Sequence, residues 1–134
     1  MRRYVIDTNI LLISIPRISP YRSIFDNLIS GTFELAVSNE IMEEYLEVIA
    51  EKTTPTIANN IVDLLLSLSN VIKVDVYYKW NLIEEDKDDN KFIDACISSN
   101  SDLIVTNDSH FRILKTVPFP TITVINADEF LNLL

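Results

Sequence analysis

Short apolar runs separated by stretches of helical periodicity constrain this chain more than any other feature. Tyr4 to Ile6, Phe33 to Val37, Leu103 to Thr106 and Ile122 to Ile125 are brief and apolar, as strands buried on both faces should be. Val71 to Val76 reads as a further strand. Between these runs the apolar positions keep helical spacing. Ser19-Pro20, an N-cap followed by a proline suited to the first helical position, opens a helix carrying Tyr21, Ile24, Phe25, Leu28 and Ile29. Gly31, the only glycine, stops it. Ser38 to Lys52 and Thr54 to Ser69 read as a helical hairpin, and Ile57, Ile61, Leu64, Leu65 and Leu68 form the apolar stripe of its second arm. An acidic connection, Lys79 to Lys87, precedes a helix from about Asp88 to Asn100. Asn107 to Lys115 reads as a turn plus a short helix, and Pro118 and Pro120 mark a loop. Asn126-x-x-Glu129 is a capping box for a last helix ending at Leu134. Strands alternating with helices predict an α/β fold, a parallel sheet covered on both faces.

The bulk properties narrow the class. A chain of 134 residues is expected to form a single domain, residues 1–134, with a sizeable core. Its 48% hydrophobic content and mean hydropathy of +0.18 exclude an intrinsically disordered chain. No apolar run approaches the roughly 18 to 20 residues of a membrane span, and no signal peptide is read at the start. One cysteine, Cys96, cannot form an internal disulfide, which suits a cytoplasmic location; it reads as a small buried hydrophobe. The net charge of −9 argues against a passive nucleic-acid binder, which usually presents a basic face. It is compatible with an enzyme that holds divalent cations against a phosphodiester, because the bound ion reverses the local sign. The sole histidine, His110, excludes a multi-histidine zinc site and weakens Ser-His-Asp chemistry; it reads as a surface or loop residue.

Most of the 20 acids should be solvated, so the informative ones lie against apolar positions. Asp7 follows the first strand directly, at the strand end where open α/β sheets bind ligands. Burial there is costly without compensation. Asp108 repeats that placement after Val105-Thr106-Asn107, and can also cap the next short helix. At about 100° per residue, Asp89 falls on the stripe defined by Phe92, Ile93 and Cys96, whereas Asp88 sits at its edge and Asp94 on the opposite face. On the helix Ser38 to Lys52, Glu40 and Glu47 point away from the apolar face. Glu44 flanks that face beside Ile41 and Val48, and Glu43 flanks its far side. Asp7, Asp89 and Asp108 can converge on one sheet edge, and such oxygen ligands suit Mg²⁺ or Mn²⁺. With the ion, they can deprotonate a water and stabilise charge on a phosphoryl group. Thr8, Asn9, Thr106 and Asn107 are neutral groups able to orient the acids or waters. An aspartyl-nucleophile phosphatase is disfavoured, because Asn9 stands where that chemistry commonly places a second acid.

The ordered set Val5-Ile6-Asp7-Thr8-Asn9-Ile10, Val37-Ser38 with Glu44-Tyr45, Asp88-Asp89-Asn90-Lys91-Phe92-Ile93, Ala95-Cys96 and Asp102 to Asp108 resembles the PIN-domain family of metal-dependent nucleases. Val124-Ile125-Asn126 with Phe130-Leu131 extends the likeness to nearly the whole chain. The subgroup it is most similar to is the stand-alone bacterial PIN proteins known as VapC toxins. The resemblance implies a three-layer fold with a five-stranded parallel sheet of order 3-2-1-4-5. It implies a Mg²⁺- or Mn²⁺-dependent endoribonuclease in which a metal-activated water attacks the phosphodiester in line. It also implies an antitoxin protein and a homodimer as partners. Carried over by position, the metal-binding and catalytic acids are Asp7, Glu44, Asp89 and Asp108. Thr106 matches the polar residue before the last acid, and Thr8 and Asn9 match the polar pair after the first. Asn107 stands where the pattern often has glycine. Glu43 and Glu40 lie close enough to Glu44 to leave the glutamate open. Arg17, Arg22, Lys91, Arg112 and Lys115 are candidate contacts to RNA phosphates. The alternative is a PIN-like binding or regulatory module with little or no turnover.

Overall fold

A computed structural model describes residues 1–84 and 87–134. The element order is β1 (Arg3–Ile6), α1 (Thr8–Ser14), α2 (Arg22–Ser30), β2 (Glu34–Val37), α3 (Asn39–Lys52), α4 (Pro55–Ser67), β3 (Val71–Lys73), α5 (Asn90–Ser98), β4 (Leu103–Val105), β5 (Val124–Ile125) and α6 (Ala127–Leu133). Short 3₁₀ turns at Lys87–Asp89 and Ser109–Thr116 flank α5 and β4. The strands form one sheet of order β3-β2-β1-β4-β5, every pair parallel, as the resemblance implied. Tyr4 pairs with Leu35 on one side and Leu103 on the other, and Ile6 pairs with Val105. The register therefore ends β1 and β4 at the same level, and the residues that follow them emerge side by side. No helix among the described residues is long and apolar enough to cross a membrane.

Central position explains the apolar runs. Val5, Ile6, Leu35, Ala36, Val37, Ile104 and Val105 are fully buried. The fifth strand is only half-buried, because it forms the sheet edge and has a neighbour on one side only. Caps act where the sequence placed them. Ser38 and Thr54 accept from Ile41 N and Ile57 N, and Asn126 and Glu129 form the reciprocal capping box. Gly31 ends α2 at φ 81°, a left-handed conformation that a side chain would strain.

Several boundaries differ from expectation. The second helix starts at Arg22, not at Ser19-Pro20, because Ser19 Oγ accepts from Tyr21 N and donates to Ile13 O, closing a turn instead. The run Ile10 to Ile15 is mostly helix α1; seven residues with apolar side chains on most faces carry little periodicity to read. The third strand stops at Lys73, and α5 begins one residue after Asp89, behind a 3₁₀ turn. The expected connection Lys79 to Lys87 lies partly outside the described residues.

At the N-terminal end of the strands, Tyr4, Phe33 and Phe130 pack with ring centroids 5.1–5.5 Å apart. Burying each such ring stabilises the fold by about 1.5–3 kcal/mol. Arg3 ties the same end together. Its Nε lies 3.2 Å from Glu34 Oε1, its Nη1 donates to Ser99 O, and its backbone N–H donates to Asp102 Oδ2 at 2.9 Å.

Candidate metal centre

The backbone around Asp7 is held by two elements at once. Its N–H donates to Val105 O at 3.0 Å, continuing the sheet one residue past β1. Its carbonyl accepts from Ile10 N and Leu11 N, starting α1. The side chain is thereby fixed at the C-terminal edge of the sheet, with only 6% of the residue exposed. Asp7 Oδ2 accepts from Thr106 Oγ1 at 2.7 Å, and Thr106 Oγ1 accepts from Asp108 N at 3.0 Å. One buried hydroxyl thus sets the spacing between the two strand-end acids. Burial raises the pKa of Asp7, the Thr106 hydrogen bond opposes that rise, and the charges of Glu44 and Asp108 add to it.

Helix α3 delivers the glutamate. Tyr45 is fully buried and donates through its hydroxyl to Ile6 O at 2.6 Å, which pins α3 against the last residue of β1. Burial, with the neighbouring Asp7 and Glu44 charges, pushes the Tyr45 phenol well above its usual range, so it stays a donor. Glu44 precedes it and reaches the site. Thr8 Oγ1 donates to Glu44 Oε2, and Lys91 Nζ lies 2.9 Å from Glu44 Oε1. Glu43 is exposed, and Glu40 faces Lys79 at 3.7 Å. Of the three glutamates the sequence left open, Glu44 is therefore the one beside Asp7.

Asp89 is buried at the junction between the 3₁₀ turn and α5. His110 Nδ1 stands 3.3 Å from Asp89 Oδ2 and 3.4 Å from Asp108 Oδ1. Asp108 also caps the following turn, accepting from His110 N at 2.9 Å. Among the described residues, Asp89, Asp108 and His110 each offer a ligand atom within 4.8 Å of the other two. A cleft of about 240 Å³ opens between Asp7, Asn9, Ile10, Ile13, Asn107 and Asp108. Four acids from four separated segments thus form one connected cluster. Carboxylates and an imidazole are suitable donors for a divalent ion, and their mutual repulsion is what such an ion would relieve.

The supporting residues divide. Thr8 and Thr106 touch the acids, and Asn9 lines the cleft. Asn107 lines it too, but its Oδ1 accepts from Ala127 N at 3.0 Å and so anchors α6. Of the candidate phosphate contacts, Arg22 stacks on Phe25 and pairs with Asp26, a packing role. Arg17 is exposed, and Arg112 and Lys115 line a neighbouring cleft with Asp108. One site neighbour escaped the sequence reading, and one candidate phosphate contact sits differently from expectation. His110, read as a surface or loop residue, faces two acids. Lys91 is held within the cluster rather than presented on the surface, its side chain only 12% exposed. The i, i+2 step from Asp108 to His110 was visible but uninformative, because a 3₁₀ turn was needed to aim the ring. Asp94, assigned to the solvated face, is instead buried and accepts from Trp80 N at 3.0 Å, because the 74–84 segment covers that side of α5.

Comparison with known proteins bears on the fold and the family. No curated protein matches the chain. Among solved structures, VapBC2 from Rickettsia felis, bound to a DNA fragment from its promoter, superposes with a TM-score of 0.63 at 18% identity, over 92% of this chain and 98% of that one. DNA-bound VapBC from Salmonella typhimurium gives 0.58 at 15% identity, over 95% and 99%. The PIN domain endonuclease Utp24 gives 0.55 at 14% identity, over 92% and 84%. At these identities the likeness is one of fold. Residues 3–110 match the PIN domain family, and the chain belongs to that family.

Proposed function

We propose that the protein is a metal-dependent endoribonuclease acting on phosphodiesters of single-stranded or structured RNA, the toxin component of a toxin–antitoxin pair. The observation that carries this reading is the convergence of Asp7, Glu44, Asp89 and Asp108 on one sheet edge, with Asp7 buried among like charges. Burying Asp7 beside Glu44 and Asp108 is costly and has little structural use. Membership of the PIN domain family and the fold shared with VapBC complexes and with the endonuclease Utp24 support it. In this reading residues 1–134 form one cytoplasmic domain, with an antitoxin protein and a second copy of the chain as partners.

Asp7, Asp89 and Asp108 would hold Mg²⁺ or Mn²⁺, directly or through water, with Glu44 beside them. The ion would supply Lewis-acid stabilisation of the phosphoryl oxygens and a water of lowered pKa. The chain's own residues do the rest. Thr106 holds Asp7 in place, and Thr8 fixes the Glu44 carboxylate so that it can orient a water. Lys91, already held in the cluster by Glu44, is placed to meet a phosphate.

The test is cleavage of single-stranded RNA with and without Mn²⁺ by the wild type and by Asp89→Asn. The wild type should cut only with the ion, and the variant should lose more than about 100-fold, beyond what losing a supporting partner of a ligand costs. Equal cutting by both would end the metal-site reading. Metal and RNA binding by the wild type without cleavage would favour the binding-module alternative.

A further inference from the structure

We infer that His110 supplies an imidazole nitrogen to the same ion as Asp89 and Asp108, and that this nitrogen makes the centre prefer Mn²⁺ and other first-row transition ions over Mg²⁺. The inference rests on the metal-dependent reading above but goes beyond it, because four carboxylates alone would leave the choice of ion open.

The geometry is specific. A single atom, Nδ1, faces both carboxylates, at 3.3 Å from Asp89 and 3.4 Å from Asp108. Donors bound about 2.1 Å from one ion stand about 3.0 Å apart in octahedral and about 3.4 Å apart in tetrahedral geometry. The two separations fall in that range, and the three ligand atoms lie within 4.8 Å of one another. The ring is also aimed by the backbone. Asp108 accepts from His110 N at 2.9 Å while its own N–H donates to Thr106 Oγ1, so the acid and the imidazole are positioned by one turn anchored to β4. About 40% of the His110 side chain remains exposed, which leaves a route for an ion to enter from solvent. Asp7 and Glu44 are engaged differently, by the Thr106 and Thr8 hydroxyls and by Lys91. The nitrogen donor is therefore concentrated at the Asp89–Asp108 side of the cluster.

The chemistry follows from donor type. Mg²⁺ takes oxygen ligands and gives up its waters reluctantly, whereas imidazole suits transition ions, with affinity rising from Mn²⁺ along the first row. Replacing the imidazole should therefore weaken Mn²⁺ far more than Mg²⁺.

The experiment is pulsed electron paramagnetic resonance of the intact protein loaded with Mn²⁺, with calorimetric titration of Mn²⁺ and Mg²⁺ separately, on wild type, His110→Ala and His110→Gln. Wild type should show a ¹⁴N coupling on Mn²⁺ that both variants lack, and should bind Mn²⁺ at least about tenfold tighter than Mg²⁺. In the variants that ratio should fall toward one through loss of Mn²⁺ affinity. Mn²⁺ bound without a ¹⁴N coupling would overturn the role of His110 while leaving the acid site intact. No Mn²⁺ binding by the wild type would overturn both readings. Because the coupling is read on the wild type, the result stands even if a variant misfolds.

Discussion

The two ends of the same sheet treat their acids in opposite ways. At the N-terminal end, Glu34 and Asp102 each meet a donor on Arg3, and the aromatic trio Tyr4, Phe33 and Phe130 closes the core beside them. At the C-terminal end, less than 15 Å away along four-residue strands of about 3.3 Å rise, Asp7 and Asp108 meet each other across a threonine, with Glu44 and Asp89 alongside. One end is arranged for stability. The other gathers like charges around the buried Asp7, where Glu44 and Asp108 oppose its ionisation, with Lys91 against Glu44 and His110 beside Asp89 and Asp108. The register makes the separation possible, because parallel strands gather all their C-terminal ends on one edge.

The largest expected effect lies at the stable end. Phe33→Ala should cost about 3–5 kcal/mol, through lost burial and the cavity left between Tyr4 and Phe130. Urea unfolding would show it, and a loss of under 1 kcal/mol would mean that this end does not dominate the core. Next comes the hinge between the two strand-end acids. Thr106→Val keeps the shape but leaves Asp7 Oδ2 and Asp108 N without their shared hydroxyl. We expect about 1–3 kcal/mol of destabilisation, with a roughly 10- to 100-fold fall in Mn²⁺ affinity or turnover. Unchanged Mn²⁺ titration would show that the threonine does not set the spacing.

Asp7→Asn should act with the opposite sign on stability. The folded-state pKa of Asp7 is raised, chiefly by burial, so the folded protein binds more protons than the unfolded chain between pH 3.8 and the raised value. Stability contributed by this group is therefore full at low pH and falls as pH rises through that window. In the presence of a chelator, the asparagine variant should be the more stable protein at pH 7, with the advantage gone at or below pH 3.8. Unfolding curves at the two pH values decide it. An equal or lower stability at pH 7 would remove the contrast between the two ends. The smallest effect is Glu34→Gln, which weakens a part-exposed ion pair and should cost no more than about 1 kcal/mol. A double-mutant cycle with Arg3→Met would measure the coupling, and a value several times larger would make the N-terminal end as dependent on charge as the other.

The fold was legible to an unusual depth because its signals are local. Short apolar runs, Thr54-Pro55, Gly31 and the Asn126–Glu129 box each specify a strand, a start or a stop within a few residues. The strand order entered through the family resemblance. The acids at strand ends, Asp7 and Asp108, were legible for the same local reason, and Asp89 from its place in an apolar stripe. The helix α3 face did not separate Glu44 from Glu43 decisively, because both flank the stripe.

What the sequence by itself determined is the alternation of elements and the acids that interrupt apolar patterns, since burial periodicity is written along the chain. Only the tertiary structure decided which groups share one space. Glu44 was selected by Tyr45 docking on Ile6 and by Lys91 arriving from α5. Asp94 was buried by a segment that periodicity cannot place, and His110 was aimed at Asp89 across 21 residues of chain. These are contacts between elements. Their energies depend on distance in space, which spacing in sequence does not encode.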